Sequence, residues 1–156
     1  MSIARRLKWY LDAREVEYEV LPHPPSSTSE ETARKAAIPP QRLAKSVLLE
    51  DDRGYVMAVI PASHRIDVAE LSAQLHRDLV LASERELAEL FHDCEPGAMP
   101  ALGPPYRVPT VYDDALCDLE DVYFEAGDHE DLVHMDAASF LLLLRGSLHG
   151  RFSRAL

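Results

Sequence analysis

The sequence predicts one mixed α/β domain, in which short helices surround a mostly antiparallel sheet. Its 156 residues suit a single core, and 47% of them are hydrophobic. Short apolar runs are interspersed with segments of helical spacing. Two pairs of predicted strands are joined by tight turns, which favours hairpins over the long crossovers of a doubly wound parallel fold. We therefore expect one domain over residues 1–156.

The first elements follow from spacing and from capping residues. Apolar residues at helical spacing predict an amphipathic helix over residues 3–14, and alternation predicts a short strand over 16–20. Thr28 and Glu31 match a capping box, so a second helix begins there and ends before Pro39.

The clearest hairpin joins a strand over Ser46–Glu50 to a strand over Tyr55–Ile60 through a turn over residues 51–54. The second strand is apolar throughout, so we expect it to lie in the middle of the sheet. A helix over 66–75 and a strand over 79–82 follow.

The last part of the chain combines a capped helix, a long loop and a second hairpin. Ser83, with Glu86 at the third helical position, predicts a helix that runs to about Phe91. A loop rich in proline and glycine covers 96–109. The remaining predicted elements are strands over 108–112, 122–126 and 132–135, a turn over 127–131 and a helix over 137–145.

The charge distribution limits the binding partners. A net charge of -11 argues against broad, nonspecific binding to nucleic acid. Residues 113–136 hold ten acids and no lysine or arginine. Basic residues sit near the two chain ends, at Arg5, Arg6, Lys8, Arg145, Arg151 and Arg154. If the ends meet, they form a phosphate-contacting patch; otherwise they are a solvated surface. Trp9 could stack on a base, but we expect it to pack against its apolar neighbours.

Several common classes of protein are disfavoured. No stretch approaches the roughly 20 apolar residues of a membrane span, and the first residues lack the apolar core of a secretory signal. Cys94 and Cys117 fit no CxxC spacing, and we expect both to be packing residues. The sequence contains no GxGxxG, P-loop, HExxH or GxSxG motif. We therefore expect a cytoplasmic protein that does not act at a membrane.

Lys45 stands at the start of an apolar strand and is one of only three lysines. An ammonium beside an apolar run loses hydration unless a partner, solvent or a ligand satisfies it, which suggests a pocket for an electron-rich group. The alternative is a strand-end lysine whose methylenes cover the core while its charge reaches water. Position alone favours this second interpretation.

Three segments could meet at one end of the sheet: Lys45, the loop over 97–103 and the turn over 127–129. Together with their neighbours they resemble the YbaK/prolyl-tRNA-synthetase-associated domain, over about residues 27–140. The resemblance rests on Arg42-Leu43-Ala44-Lys45-Ser46-Val47-Leu48, Val59-Ile60-Pro61-Ala62, Ile66-Asp67-Val68, the Gly/Pro loop and Ala126-Gly127.

That family comprises aminoacyl-tRNA deacylases, which edit mischarged tRNA either within prolyl-tRNA synthetase or as freestanding proteins acting in trans. This chain resembles the freestanding kind. The family loop often carries proline at the position of Ala101, whereas this chain has Pro100 one position earlier. The resemblance implies catalytic roles for Lys45 and Gly97 and substrate contacts for Ser46, Ala98, Met99, Pro100 and Gly127. His129, in the turn that flanks the predicted pocket, is a further candidate for substrate contact.

Hydrolysis of an aminoacyl ester passes through a tetrahedral oxyanion, and backbone N–H groups of a glycine-rich loop can stabilise that charge. Gly97 and Ala98 are the candidate donors. Lys45 could hold and polarise the ester or the terminal ribose phosphate. A lysine, with a reference pKa of about 10.4, is a weaker candidate for a general base. His129 either contacts the amino group or the attacking water, or is an exposed loop histidine without a role.

We expect no metal and no cofactor, because the acids and histidines over 128–134 have no diagnostic ligand spacing. The expected partner is the acceptor end of aminoacyl-tRNA, delivered by a synthetase or an elongation factor if the acidic chain binds tRNA weakly. The alternative is a non-catalytic module that recognises aminoacyl-tRNA, an amino acid or a synthetase through the acidic region over 113–136. The sequence leaves the amino acid, the tRNA and the oligomeric state open.

Overall fold

The structure, a computed structural model, describes residues 3–156. The helices are α1 (Arg5–Ala13), α2 (Ser29–Ala36), α3 (Val68–Leu75), α4 (Glu84–Leu90) and α5 (Ala137–Leu143). The strands are β1 (Glu19–Pro22), β2 (Leu43–Asp51), β3 (Gly54–Pro61), β4 (His64–Ile66), β5 (Val80–Leu81), β6 (Thr110–Asp113), β7 (Asp121–Glu125), β8 (Asp131–Asp136), β9 (Leu148–Gly150) and β10 (Ser153–Ala155).

An eight-stranded sheet organises the fold in the order β1-β8-β7-β2-β3-β6-β9, and β5 also pairs with β2. The hairpins β2–β3 and β7–β8 and the pairs β1–β8 and β2–β5 are antiparallel. The pairs β2–β7, β3–β6 and β6–β9 are parallel. The predicted mixed, mostly antiparallel sheet is therefore confirmed, and the apolar strand β3 lies between two neighbours as expected.

The two faces of the sheet carry separate cores. On β3, Met57 and Val59 join a large cluster that also holds Leu7 of α1 and Phe140 of α5. The alternate side chains of β3 pack on the other face, in a smaller cluster with Leu71 of α3. This separation follows from the two-residue period of a strand, which sends successive side chains to opposite faces.

Local capping starts the helices where the sequence predicts. The Thr28 hydroxyl accepts a hydrogen bond from the Glu31 amide at 3.1 Å, while the Glu31 carboxylate accepts one from the Ser27 amide at 2.9 Å. Ser83 and Glu86 form a complete capping box at the start of α4. Each cap satisfies amide groups that the first helical turn leaves unpaired.

Three short strands were not predicted. Strands β4, β9 and β10 are three residues long, and β4 pairs with β10 in a separate two-stranded sheet. Three residues are too few to show an alternating pattern, so tertiary pairing alone defines these strands. In addition, the strand expected over 16–20 lies two to three residues later, at β1.

The basic residues of the two chain ends divide between the faces of the sheet. Helices α1 and α5 pack together in the large core, where the Tyr10 hydroxyl donates to the Leu143 carbonyl at 3.1 Å, whereas Arg151 and Arg154 lie next to Phe152 of the other core.

The structure overturns two expectations about packing, at Trp9 and Cys117. The Trp9 side chain does not pack in the core, since it is 72% exposed. Cys117 is exposed as well, whereas Cys94 is partly buried as a packing residue.

Among residues 3–156, no helix is long and apolar enough to cross a membrane.

Candidate functional site

One edge of β2 has a gap between two strand neighbours. β7 pairs with β2 only at Leu43 and Ala44, and β5 pairs with it only at Leu49 and Glu50. The opposite edge of β2 is paired with β3 along its length from Ala44 onward. We call the open stretch, residues 45–48, the β2 notch. Crevices of this kind, where parallel strands diverge at their carboxyl ends, are common ligand sites in α/β sheets.

The loop over residues 95–103 lies against the β2 notch. The Ser46 hydroxyl donates a hydrogen bond to the Met99 carbonyl at 3.4 Å, which ties the loop to β2. The tip around Gly97 is exposed, whereas Ala98 and Pro100 are buried beneath it. The loop is therefore anchored at its base and open to solvent at its tip.

Gly97 has a backbone conformation that other residues rarely adopt, with φ at +82°. A β-carbon at this position would lie 3.3 Å from His129 Cε1 and 3.6 Å from the Ser27 carbonyl oxygen. The Ala98 amide donates to the Glu95 carbonyl at 3.0 Å. The Gly97 amide has no acceptor within residues 3–156 and lies at the exposed tip of the loop, so it can meet a ligand.

The turn after β7 holds the loop from the other side. The His129 ring donates from Nε2 to the Pro96 carbonyl, and the Glu95 amide donates to the Gly127 carbonyl at 2.7 Å. Gly127, with φ at +116°, has no room for a side chain, since a β-carbon would lie 2.9 Å from Ala4 Cβ. His129 thus contacts the loop directly, and its buried Nδ1 has no hydrogen-bond partner within residues 3–156.

Lys45 approaches from the other face of β2. Ser46 points to the side of the large core, so its neighbour Lys45 points to the side of α2, where Glu30 attracts its charge. Burial lowers the pKa of Lys45, and Glu30 opposes this shift. Within the part of the chain that the structure describes, the half-buried ammonium has no hydrogen-bond partner. Such a group is stabilised by an electron-rich ligand.

A buried polar network supports these elements from below. Glu125, the last residue of β7, accepts a hydrogen bond from the Thr32 hydroxyl at 2.9 Å, and Ser26 lies 2.5 Å from Thr32. Burial raises the pKa of Glu125, although the Thr32 hydrogen bond opposes the shift. His23 Nε2 lies 3.9 Å from Glu125 Oε1. The network links α2 to the end of β7, just before the turn that carries His129.

Sequence reasoning missed this network. It assigned no role to Ser26 or Thr32, and it treated Glu125 only as one of the ten acids over 113–136. The available signal was an acid inside the apolar strand over 122–126, since a carboxyl at a buried strand position requires a donor.

Comparison with protein-family models identifies the chain. The model of the aminoacyl-tRNA editing domain matches residues 23–142. The chain belongs to the aminoacyl-tRNA editing domain family. The resemblance seen in the sequence is thereby confirmed, and the match covers β2, the 95–103 loop and the turn after β7. No curated protein sequence matches the chain.

Solved structures share the fold of this editing domain. A candidate trans-editing enzyme for prolyl-tRNA synthetase superimposes with a TM-score of 0.81, at 22% identity over 97% of both chains. The hypothetical protein APE2540 gives a TM-score of 0.83, at 21% identity over 96% of this chain and 100% of its own. A candidate signal transduction protein from Marinobacter aquaeolei VT8 gives a TM-score of 0.76, at 25% identity, and the match covers 95% of this chain but only 30% of that protein.

The editing domain brings most of the predicted site residues to the notch and its two flanking loops. Ser46 contacts the 95–103 loop, His129 contacts Pro96, and Gly127 accepts a hydrogen bond from Glu95. Ala98 and Pro100 are buried, so their side chains support the loop from inside. Among residues 3–156, no group of three or more histidine, cysteine or acidic side chains could hold a metal ion.

Proposed function

We propose that this editing domain hydrolyses the ester bond of mischarged aminoacyl-tRNA in trans, as one catalytic domain over residues 1–156. The observation that carries the proposal is a half-buried lysine on the strand that borders an exposed glycine loop: within residues 3–156, neither the Lys45 ammonium nor the Gly97 amide has a hydrogen-bond partner. Membership of the editing-domain family supports the substrate class.

In the proposed reaction, the oxygen of a water adds to the ester carbonyl carbon, and the carbonyl oxygen becomes an oxyanion. The Gly97 amide donates to that oxyanion. This hydrogen bond is stronger in the transition state than in the bound ester, because the negative charge on the oxygen develops only as the water adds. The C–O bond to the ribose then breaks, and the ribose oxygen leaves with a proton. The products are the free amino acid and tRNA with an intact terminal hydroxyl.

Lys45 acts in this proposal as a charge that holds and polarises the substrate. Its ammonium would contact the ester or the terminal ribose phosphate, and ligand binding would replace the hydration that burial removes. Burial lowers the pKa of Lys45 overall, and the nearby charge of Glu30 opposes this shift, so Glu30 helps to keep the ammonium charged for electrostatic positioning. Ser46, Met99 and Pro100 would keep the opposite wall in place.

His129 serves as a positioning residue. Its hydrogen bond to the Pro96 carbonyl places the ring against Gly97, so it sets the direction of the Gly97 amide.

The decisive experiment measures deacylation of a panel of mischarged tRNAs by the wild type, Lys45→Met and Lys45→Arg. We expect turnover by the wild type, loss in Lys45→Met and partial retention in Lys45→Arg, which keeps the charge. Lys35→Met is the matched control, because Lys35 lies in the last turn of α2. Equal hydrolysis by the wild type and Lys45→Met, or no hydrolysis of any tRNA, would overturn the proposal.

A non-catalytic binding module is the alternative, and the acidic region gives it little support. Several of its acids act inside the fold: Asp113 accepts from the Phe152 amide at 3.0 Å, and Asp136 caps α5. Asp121 pairs with Arg42, and Glu125 is buried. Binding of tRNA without turnover, unchanged in Lys45→Met, is the result that would favour this module.

A further inference from the structure

A groove beside α1 concentrates positive charge on an otherwise acidic chain. Four cations border it, against the two acids Asp12 and Asp93: Arg5, Arg6 and Lys8 lie on α1, and Arg107 lies in the loop after Tyr106. The whole chain carries a net charge of -11, so this local excess of cations is unusual for the molecule. We call this groove the α1 groove.

Two of its cations are available to a ligand. Arg5 and Arg107 are exposed and have no ion-pair partner within residues 3–156. By contrast, Lys8 pairs with a carboxylate one turn along α1 at 2.9 Å, and the Arg6 guanidinium lies over the Tyr106 ring, 5.8 Å from its centroid. Guanidinium groups match phosphate oxygens in geometry, which favours a phosphate-bearing ligand.

Trp9 adds an aromatic platform to the same groove. The side chain is 72% exposed, while Leu7, Tyr10 and Leu11 bury the other side of α1. An exposed aromatic ring beside guanidinium groups is a typical site for stacking a nucleic-acid base. Because the ring contributes little to the core, its position is better explained by a ligand than by packing.

The α1 groove adjoins the candidate site. The Ala4 amide, just before α1, donates to the Ala126 carbonyl at 2.7 Å, and Ala4 packs against Gly127. His92 borders the groove and lies five residues before Gly97 in the chain. An RNA strand that places its end at the notch can therefore continue into the α1 groove.

We propose that the α1 groove binds RNA next to the aminoacylated end, with Arg5 and Arg107 on phosphates and Trp9 stacked on a base. The position of the aminoacyl end rests on the proposed function, whereas RNA binding does not require hydrolysis. The groove explains how a strongly acidic protein can engage a polyanion through one local surface.

Trp9 is the chain's single tryptophan, so its fluorescence reports on this groove alone. Uncharged tRNA is titrated into the wild type, the double variant Arg5→Gln/Arg107→Gln and the control Arg65→Gln/Arg151→Gln at several salt concentrations. The control removes two exposed arginines beside the other core of the sheet. We expect tRNA to quench the fluorescence of the wild type and the control. The groove variant should bind about tenfold more weakly, with a salt slope lower by about 2.

Three outcomes would overturn the inference: no tRNA binding, binding without a change in Trp9 fluorescence, or equal affinities for both double variants. Quenching by polyglutamate but not by tRNA would also overturn it, because a protein partner would then fit the groove better. Deacylation, assayed in parallel, separates the two proposals. If only the groove variant loses tRNA binding and no protein shows turnover, the RNA site in the α1 groove is upheld and the proposed hydrolysis is rejected. If turnover is observed and the two double variants bind tRNA equally, the hydrolysis is upheld and the RNA site is rejected.

Discussion

Substitution of Gly97 by alanine tests the catalytic loop most directly. Its φ of +82° strains any residue with a β-carbon, at a cost of about 1–2 kcal/mol in the free energy of unfolding. The new methyl would also press on His129 Cε1 at 3.3 Å, so the loop or the ring must move. Because a misplacement of about 1 Å at a reacting centre can reduce a rate by about 100-fold, we expect kcat to fall by that order.

Gly146→Ala is the matched control for this experiment. Gly146 has a similar φ of +88°, but a β-carbon there would meet no atom of residues 3–156 within 4 Å. Both variants should therefore lose about 1–2 kcal/mol in urea unfolding, while only Gly97→Ala loses deacylation of mischarged tRNA. Equal kcat in the two variants, with equal loss of stability, would refute a catalytic role for the Gly97 amide.

The other predictions concern stability, measured by urea unfolding. Burial raises the pKa of Glu125, so its protonated side chain contributes to the free energy of unfolding at low pH. This contribution is lost as pH rises through the raised pKa. Glu125→Gln should therefore gain stability relative to the wild type as pH rises, and a constant difference would contradict this. Burial lowers the pKa of His134, but hydrogen bonds to Glu19 and Asp121 at 2.8 and 2.7 Å outweigh it and raise the pKa overall. The free energy of unfolding of the wild type should thus fall by about 1 kcal/mol relative to that of His134→Gln as pH rises through the raised pKa. Parallel dependence of the two unfolding free energies on pH would disprove this. Ser83→Ala, which removes the cap of α4, should cost about 1 kcal/mol, and an unchanged midpoint would show that the cap is dispensable.

The sequence predicts most of the fold because local signals and tertiary packing agree. The β2–β3 hairpin carries a turn signal and an apolar second strand, and the caps at Thr28 and Ser83 begin their helices as expected. Strands β9 and β10 carry no such signal, since their side chains are largely exposed and only their backbone pairing defines them.

The candidate site was predicted in part for a similar reason. Lys45 and Gly97 are predicted from the family motifs and His129 from its place in the flanking turn; the structure brings Gly97 and His129 together. The network below them depends on side chains far apart in sequence, since Thr32 and Glu125 are 93 residues apart. The expectation that Trp9 packs in the core was wrong for a reason visible in the sequence: Trp9 lies two residues from both Leu7 and Leu11, which places it on the opposite face of α1.

The two walls of the β2 notch differ in rigidity. Lys45 belongs to a strand that is paired with β3 along its whole length beyond Leu43, so its backbone is fixed by the centre of the sheet. The glycine loop opposite is tied through single contacts, such as Ser46 to Met99 and His129 to Pro96, and its tip is exposed. Amide hydrogen exchange should therefore be slow on β2 and fast around Gly97. A substrate of a different size would then be accommodated by movement of the loop, while the charge that receives it stays in place.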